Sequence, residues 1–300
     1  MGGPWEYGWG PQDDSKAIAS ILKALDTGIN WIDTAPIYGC GHSEELLGLA
    51  LKQTSKKPII ATKCGLLWNN KREKQECLNA DSIIKECEDS LKRIGIETID
   101  LYHMHWPIPD NQIEEAFETM AKLVKQGKVR YIGASNFSTD QLKRIIDIHP
   151  VASLQPPYSM IKRAFENNLQ DYCEQNNIGV VVYSPMQRGL LTGKFSTERL
   201  RTLAPGDHRL KHPDFHDIPF AATMQLVEKL KPIAEKNNIT LAQLAISWTL
   251  RSNVVTAAIV GARKPDQITE TAKASDVELT KEDINKIELL LEQRQQKLNN

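Results

Sequence analysis

No uninterrupted apolar run in this sequence approaches the roughly 20 residues that span a bilayer as a helix. The start, MGGPWEYGWG, has neither a basic n-region nor an apolar h-region, so no signal peptide is predicted. Cysteine is scarce: Cys40, Cys64, Cys77, Cys87 and Cys173 make an odd count with no CxxC spacing. That argues against a disulfide framework and for a reduced, cytoplasmic chain. An excess of one charge is also missing, because 37 Lys and Arg stand against 38 Asp and Glu. A near-neutral balance gives no bias toward nucleic acid or an acidic membrane surface. No G-x-G-x-x-G follows the first expected strand. The nearest lookalike, GCGHSE at 39–44, lacks its third glycine, so the dinucleotide fingerprint of an open nucleotide-binding sheet fails. No linker or low-complexity tract divides the 300 residues, and 1–300 read as a single domain.

What is present is a regular alternation. Apolar strand patterns near 29–34, 57–62, 99–105, 129–134, 151–155, 179–183 and 256–260 are separated by amphipathic helix patterns. The first helix pattern covers 15–27, with Asp13 or Asp14 as cap and Gly28 as stop. Another covers 81–95, with Asp81 as cap and Gly95 as stop. Others cover 43–53, 112–127, 138–148 (capped by Ser138), 163–177, 222–237, 240–252 and 265–274. A last helix opens on Thr280-x-x-Asp283. Strands that are apolar throughout and alternate with helices predict a parallel sheet with its outer side covered. The number of repeats favours a closed (β/α)8 TIM-type barrel over a doubly wound sheet, but seven strands are one short. The glycine- and proline-broken first ten residues do not read as the eighth.

In such a barrel, chemistry belongs at the carboxyl ends of the strands. Those ends carry Asp33 followed by Tyr38, then Lys63, His105, Ser135-Asn136, Gln155, Tyr183-Ser184 and Gly261-Ala262-Arg263. A tyrosine titrating near 10 is a poor acid or base at neutral pH, and a neighbouring ammonium lowers that value. Asp33 would keep Lys63 charged and in place, and a histidine at the same point could orient a carbonyl oxygen. The set suits protonation of that oxygen while a nicotinamide or flavin delivers hydride to carbon. His103 and His105, two apart on one strand, leave three readings open: a metal pair, one working histidine with an inert neighbour, or core. A metal site needs further ligands on other strand ends, and His42, His149, His208, His212 and His216 offer none.

The motifs GINWIDTAPIYGCGHSEELLG, ATKCG, IDLYHMHWP, VRYIGASNFS, VVYSPMQRGLLTGKF and IVGARKPDQITETAKASDVELT resemble, in order and spacing, the aldo-keto reductase superfamily. The likeness is nearest to the microbial branch similar to the potassium-channel β subunits, and it covers essentially the whole chain. It implies Tyr38 as general acid/base, Lys63 and Asp33 as its tuning pair, and His105 as carbonyl orienter, leaving His103 as core. It implies Ser135, Asn136 and Gln155 around the nicotinamide carboxamide, with Tyr183 stacked on the ring. Ser184, Arg188, Leu190 and Lys194 would follow the pyrophosphate. Gly261, Arg263, Gln267 and Glu270 would hold the adenosine, with Arg263 and Arg209 near a 2′-phosphate. Thr271 replaces an asparagine common in the family at one adenine contact. The implied cofactor is NADP(H), with NAD(H) as the other possibility, and the partner a small carbonyl or alcohol, without metal, nucleic acid or membrane. Trp68 and Trp106 read as a substrate-pocket wall or as core and loop anchors. Cys40 and Cys64, which flank expected catalytic residues, read as candidates for an oxidation-sensitive thiol.

Family members begin with a hairpin and a strand ahead of a segment like Gly2-Gly3-Pro4-Trp5. The resemblance therefore implies that the first barrel strand is truncated here. The expected activity is NADPH-dependent reduction of aldehydes or ketones, reversible to alcohol oxidation. A cofactor-sensing binding protein with slow turnover is the alternative, and a metal-dependent barrel hydrolase a distant third.

Overall fold

The structure, a computed structural model, describes residues 12–299. Nine strands follow in chain order: β1 (Trp31–Asp33), β2 (Ile59–Cys64), β3 (Leu66–Trp68), β4 (Lys74–Glu76), β5 (Ile99–Met104), β6 (Val129–Ser135), β7 (Ser153–Gln155), β8 (Gly179–Tyr183) and β9 (Val255–Ile259). The helices are α1 (Asp14–Asp26), α2 (His42–Leu51), α3 (Ala80–Ile94), α4 (Ile113–Lys125), α5 (Thr139–Ile145), α6 (Leu169–Gln175), α7 (Thr197–Arg201), α8 (Asp217–Lys236), α9 (Leu241–Thr249), α10 (Pro265–Ala272) and α11 (Lys281–Asn299).

Seven strands make one sheet in the order β1-β2-β5-β6-β7-β8-β9, every neighbouring pair parallel. This is the sheet of a (β/α)8 TIM-type barrel. The expectation of a missing first strand falls on residues 1–11, outside the described residues. The predicted strands reappear within a few residues of their expected limits, because short β-rich apolar runs between helices have one way to bury both faces. Period-2 alternation turns Lys63, His103 and Gly133 to the interior at one level, in register across β2, β5 and β6. Gly133 is required there: a Cβ would lie 2.5 Å from the Ser153 carbonyl oxygen and 2.8 Å from His103 Cδ2. The remaining core lies between sheet and helices, where Tyr102, Phe117, Ile132, Leu154 and Trp248 are fully buried.

Caps explain most helix limits. Asp13 accepts from the Lys16 N–H at the start of α1, and Ser138 forms a full capping box with Gln141 at α5. At α11, Thr280 accepts from the Asp283 N–H and donates to its carboxylate. For α3 the cap is Asn79, which accepts from the Ser82 N–H, and Asp81 sits inside the first turn, correcting the expected cap. The helix expected over 163–177 is broken. A single turn at Ala164–Glu166 and the seven-residue α6 flank Asn167, whose ψ of −97° leaves the helical region. The β3–β4 hairpin was not anticipated. The long loop before α8 contains short helical turns and the five-residue α7.

Candidate active site

Every strand-end residue singled out above reaches the C-terminal mouth of the sheet. Asp33 closes β1, and its carboxylate is 2.5 Å from the Lys63 ammonium on the next strand. Lys63 also donates to the Thr34 carbonyl at 2.8 Å, and its side chain is 1% exposed. The β1–α2 loop brings Tyr38 back over this pair, with Lys63 Nζ 5.3 Å from its ring centroid. His105, one residue past β5, meets Tyr38 edge-on with centroids 5.9 Å apart. The four groups expected from the motifs are one cluster.

Their protonation follows from burial. Burial works against the Lys63 charge, yet Asp33 and Tyr38 outweigh it and lift its pKa above the ordinary lysine value. Burial and then Lys63 push His105 well below the usual histidine range, so its imidazole is neutral at pH 7. Tyr38 corrects one expectation. Lys63 does pull its pKa down, by charge and by a hydrogen bond, but burial is the larger effect and Asp33 adds to it. The net direction is upward, and Tyr38 holds its proton at neutral pH. His103 lies one layer below, fully buried, with Nε2 2.7 Å from Ser153 Oγ and a pKa pushed down to about 3 by burial. Among the described residues no three His, Cys, Asp or Glu side chains group as metal ligands.

A polar shelf surrounds the four. Gln155 donates to the second Asp33 oxygen at 2.8 Å, and Ser135 Oγ donates to the Gln155 carbonyl at 2.8 Å. Asn136 donates to the His105 carbonyl at 2.9 Å and accepts the Tyr183 hydroxyl at 2.8 Å. Asn136, Ser184 and Arg188 hold positive φ of 63°, 58° and 54°, and Cys40, two residues past Tyr38, has 56°. Such backbone costs about 1–3 kcal/mol per residue and gathers at ligand sites.

The residues expected along a pyrophosphate and adenosine form a looser set. Arg188 is 2.7 Å from His212 Nε2, and Lys194 pairs with Glu270 at 3.0 Å. Leu190 is fully buried against Phe195, Phe215 and Phe220. Arg209 is buried and clamps Asp207 at 2.6 Å, its guanidinium 5.3 Å from the Phe195 ring centroid. Among the described residues nothing lies within 4 Å of a Cβ built on Gly261. Gln267 caps this turn by accepting from the Arg263 and Lys264 N–H groups, while Arg263 Nε donates to Gln12. The donor amides at the strand ends and the cations beyond them are chemistry that fits a carboxamide and phosphates.

Trp68 lies on β3 and packs with Tyr38 against Ala35, Ile37 and Leu66, whereas Trp106 is 39% exposed. Beside Trp68, but not lined by Trp106, is a cavity of about 590 Å³ whose wall includes Gly39, Cys40, His42, Asn69 and Arg72. Its wall takes in the two residues after Tyr38 rather than Tyr38 itself. Arg72, at the hairpin tip, donates to the Gly39 carbonyl at 3.1 Å. Cys40 is half-buried on this wall. Cys64 is buried, and burial and Glu86 push its thiol well above the usual range, which corrects its reading as a reactive thiol. The buried carboxylates Glu44 and Glu86 behind β2 were missed. Their helix positions read as ordinary polar faces, with no local signal of burial.

Residues 1–292 match the model of the aldo/keto reductase family. Aldo-keto reductase YhdN of Bacillus subtilis (strain 168) is 38% identical over 296 residues, 97% of this chain and 88% of that protein. The NADH-specific methylglyoxal reductase of Escherichia coli (strain K12) is 33% identical over 299 residues, 94% of this chain and 90% of its own. The solved glycerol dehydrogenase AKR11B4 from Gluconobacter oxydans superposes with a TM-score of 0.88 at 36% identity, covering 97% of this chain and 90% of its own.

Proposed function

This chain belongs to the aldo/keto reductase family and is a nicotinamide-dependent oxidoreductase, and on that premise we propose that it reduces aldehydes or ketones with NADPH through Tyr38, Lys63, Asp33 and His105. The observation that carries the reading is the buried Lys63–Asp33 pair at 2.5 Å, held beneath a protonated Tyr38 and beside a neutral His105.

When bound, the nicotinamide supplies hydride to the carbonyl carbon. Tyr38 supplies the proton to the carbonyl oxygen, and the charge left on its phenolate is stabilised by the adjacent Lys63 ammonium. Asp33, fixed by Gln155 on its far oxygen, keeps that ammonium aimed. His105, neutral, donates a hydrogen bond to the carbonyl oxygen and strengthens it as negative charge develops there. Ser135, Asn136, Gln155 and Tyr183 would hold the nicotinamide end, and Ser184, Arg188, Leu190 and Lys194 the pyrophosphate. Gly261, Arg263, Gln267 and Glu270 would take the adenosine. The preference for NADPH is supported by Arg263 at the Gly261 turn. Arg209, already engaged with Asp207, is a weaker candidate for the 2′-phosphate. Trp68 and Trp106 would wall the substrate.

The test is NADPH oxidation by the purified chain with simple aldehydes, beside Tyr38→Phe. Turnover lost in the variant with NADPH binding retained supports the reading. Tight NADPH binding without turnover in either protein points instead to a cofactor sensor.

A further inference from the structure

Behind the strand that carries Lys63 lies a layer of buried charge that the proposed mechanism does not use. With Lys63 turned inward, Thr62 and Cys64 face the covering helices. Thr62 donates to Glu44 on α2 at 2.6 Å, and Arg93 on α3 donates to the other Glu44 oxygen at 2.7 Å. Two turns earlier on α3, Glu86 is 4% exposed. Its carboxyl accepts the Gly65 N–H at 3.0 Å and shares a hydrogen bond with Ser82 Oγ at 3.1 Å. Gly65 is the joint between β2 and the hairpin that carries Trp68. It has φ +91°, and a Cβ there would come within 2.7 Å of Leu78. No side chain at Gly65 can pin this joint; its N–H is held by Glu86, and its carbonyl accepts the Cys77 N–H at 3.2 Å.

We propose that Glu86 is a positioning residue for the reaction: by holding the Gly65 turn it sets Lys63 beneath Tyr38 and Trp68 beside it. The inference rests on the reductase reading of the site. Burial raises the Glu86 carboxyl to about 8, against the opposing Gly65 N–H, Ser82 and Arg93, and Glu44 raises it further. At pH 7 it is therefore mostly protonated, one oxygen accepting from the Gly65 N–H and the other from the Ser82 hydroxyl. The groups facing it are Arg93 on its own helix, Glu44 on α2, Cys64 on β2 and Tyr102 on β5. Cys64 and Tyr102 are pushed well above their usual ranges and Cys87 to about 12, so Glu86 is the one of these acids that loses its proton near pH 8. Its ionised form would face Glu44 with Arg93 shared between them. Arg93 also lies against Gly41 and 6.0 Å from the Trp68 ring, so the disturbance reaches both sides of the pocket.

The test compares the unsubstituted chain, Glu86→Gln and Glu86→Ala between pH 6 and 10. It measures kcat and KM for a simple aldehyde with NADPH, together with tryptophan emission referenced to Trp68→Phe. The unsubstituted chain is expected to lose about tenfold in kcat, with a matching emission step, across the ionisation near pH 8. Glu86→Gln, an analogue of the protonated acid, should abolish both steps. Glu86→Ala should lower kcat at pH 7 by about tenfold with the KM for NADPH unchanged. A step that persists in Glu86→Gln, or no emission step in the unsubstituted chain, overturns the proposal even if Glu86→Ala does not fold. A chain that reduces no aldehyde at any pH defeats the reductase reading, while the emission step and its loss in Glu86→Gln still decide whether Glu86 holds the turn.

Discussion

The two ends of the candidate site are built differently. On the β1–β2–β5 side, Lys63 and Asp33 are 1% and 6% exposed and tied further to Thr34 and Gln155. On the β8–β9 side, Lys194 and Glu270 pair at 59% and 26% exposure, and Arg263 leans on Gln12 at the surface. A buried pair is costly to assemble and strongly destabilising to break, because removal of one partner leaves an uncompensated charge. An exposed pair contributes between zero and about 1 kcal/mol and exchanges partners readily. Chemistry needs the first kind, with its geometry fixed before the substrate arrives. A long charged cofactor needs the second, cations that can leave a carboxylate for a phosphate at little cost.

The largest effect that would break this comparison is at Tyr38. Tyr38→Phe should lower kcat by roughly 10²–10⁴-fold with NADPH affinity held, as measured by steady-state turnover and fluorescence titration. Lys63→Met should lose comparable activity and also unfold earlier, by about 3–5 kcal/mol in denaturant titration, since Asp33 is left buried and unpaired. If Lys63→Met proved as stable as the unsubstituted chain, the two regions would not differ as described. If NADPH is the preferred cofactor, as proposed, Arg263→Ala should reduce that preference over NADH in kcat/KM by about tenfold or more, with an effect that shrinks in high salt, and should leave thermal stability unchanged. A further prediction concerns pH. Glu86 is raised to about 8 in the fold from an ordinary 4.5, so the unfolded chain binds fewer protons between those values. Stability therefore falls as pH climbs through that window. Melting temperatures at pH 5 and pH 8 should differ less in Glu86→Gln than in the unsubstituted chain. The smallest effect is Lys194→Ala, within about 1 kcal/mol in stability.

The sheet and the four central groups were legible in the sequence because each is a local matter. A strand end is marked by the polar residue that closes an apolar run, as at Asp33, Gln155 and Tyr183, and a cap by the residue before a helical stripe, as at Asp13 and Ser138. Where two Asx residues compete, as Asn79 and Asp81 do, the pattern alone does not choose. The β3–β4 hairpin was hidden because its strands are three residues each, and Lys74–Glu76 carries no apolar alternation. Hydrogen bonds such as Gln155 to Asp33 join residues 122 apart and leave no trace in spacing. The Tyr38 pKa shows the same limit. The lysine that lowers it is readable in the chain, whereas the burial that outweighs the lysine is a property of the packed whole.

His103, Ser153 and the bare backbone of Gly133 fill the layer under His105 so closely that even one methyl group at Gly133 would collide. Beneath the four central groups the site consequently has a closed floor. A carbonyl compound reduced here would be stopped above that floor, at the level of Tyr38 and His105.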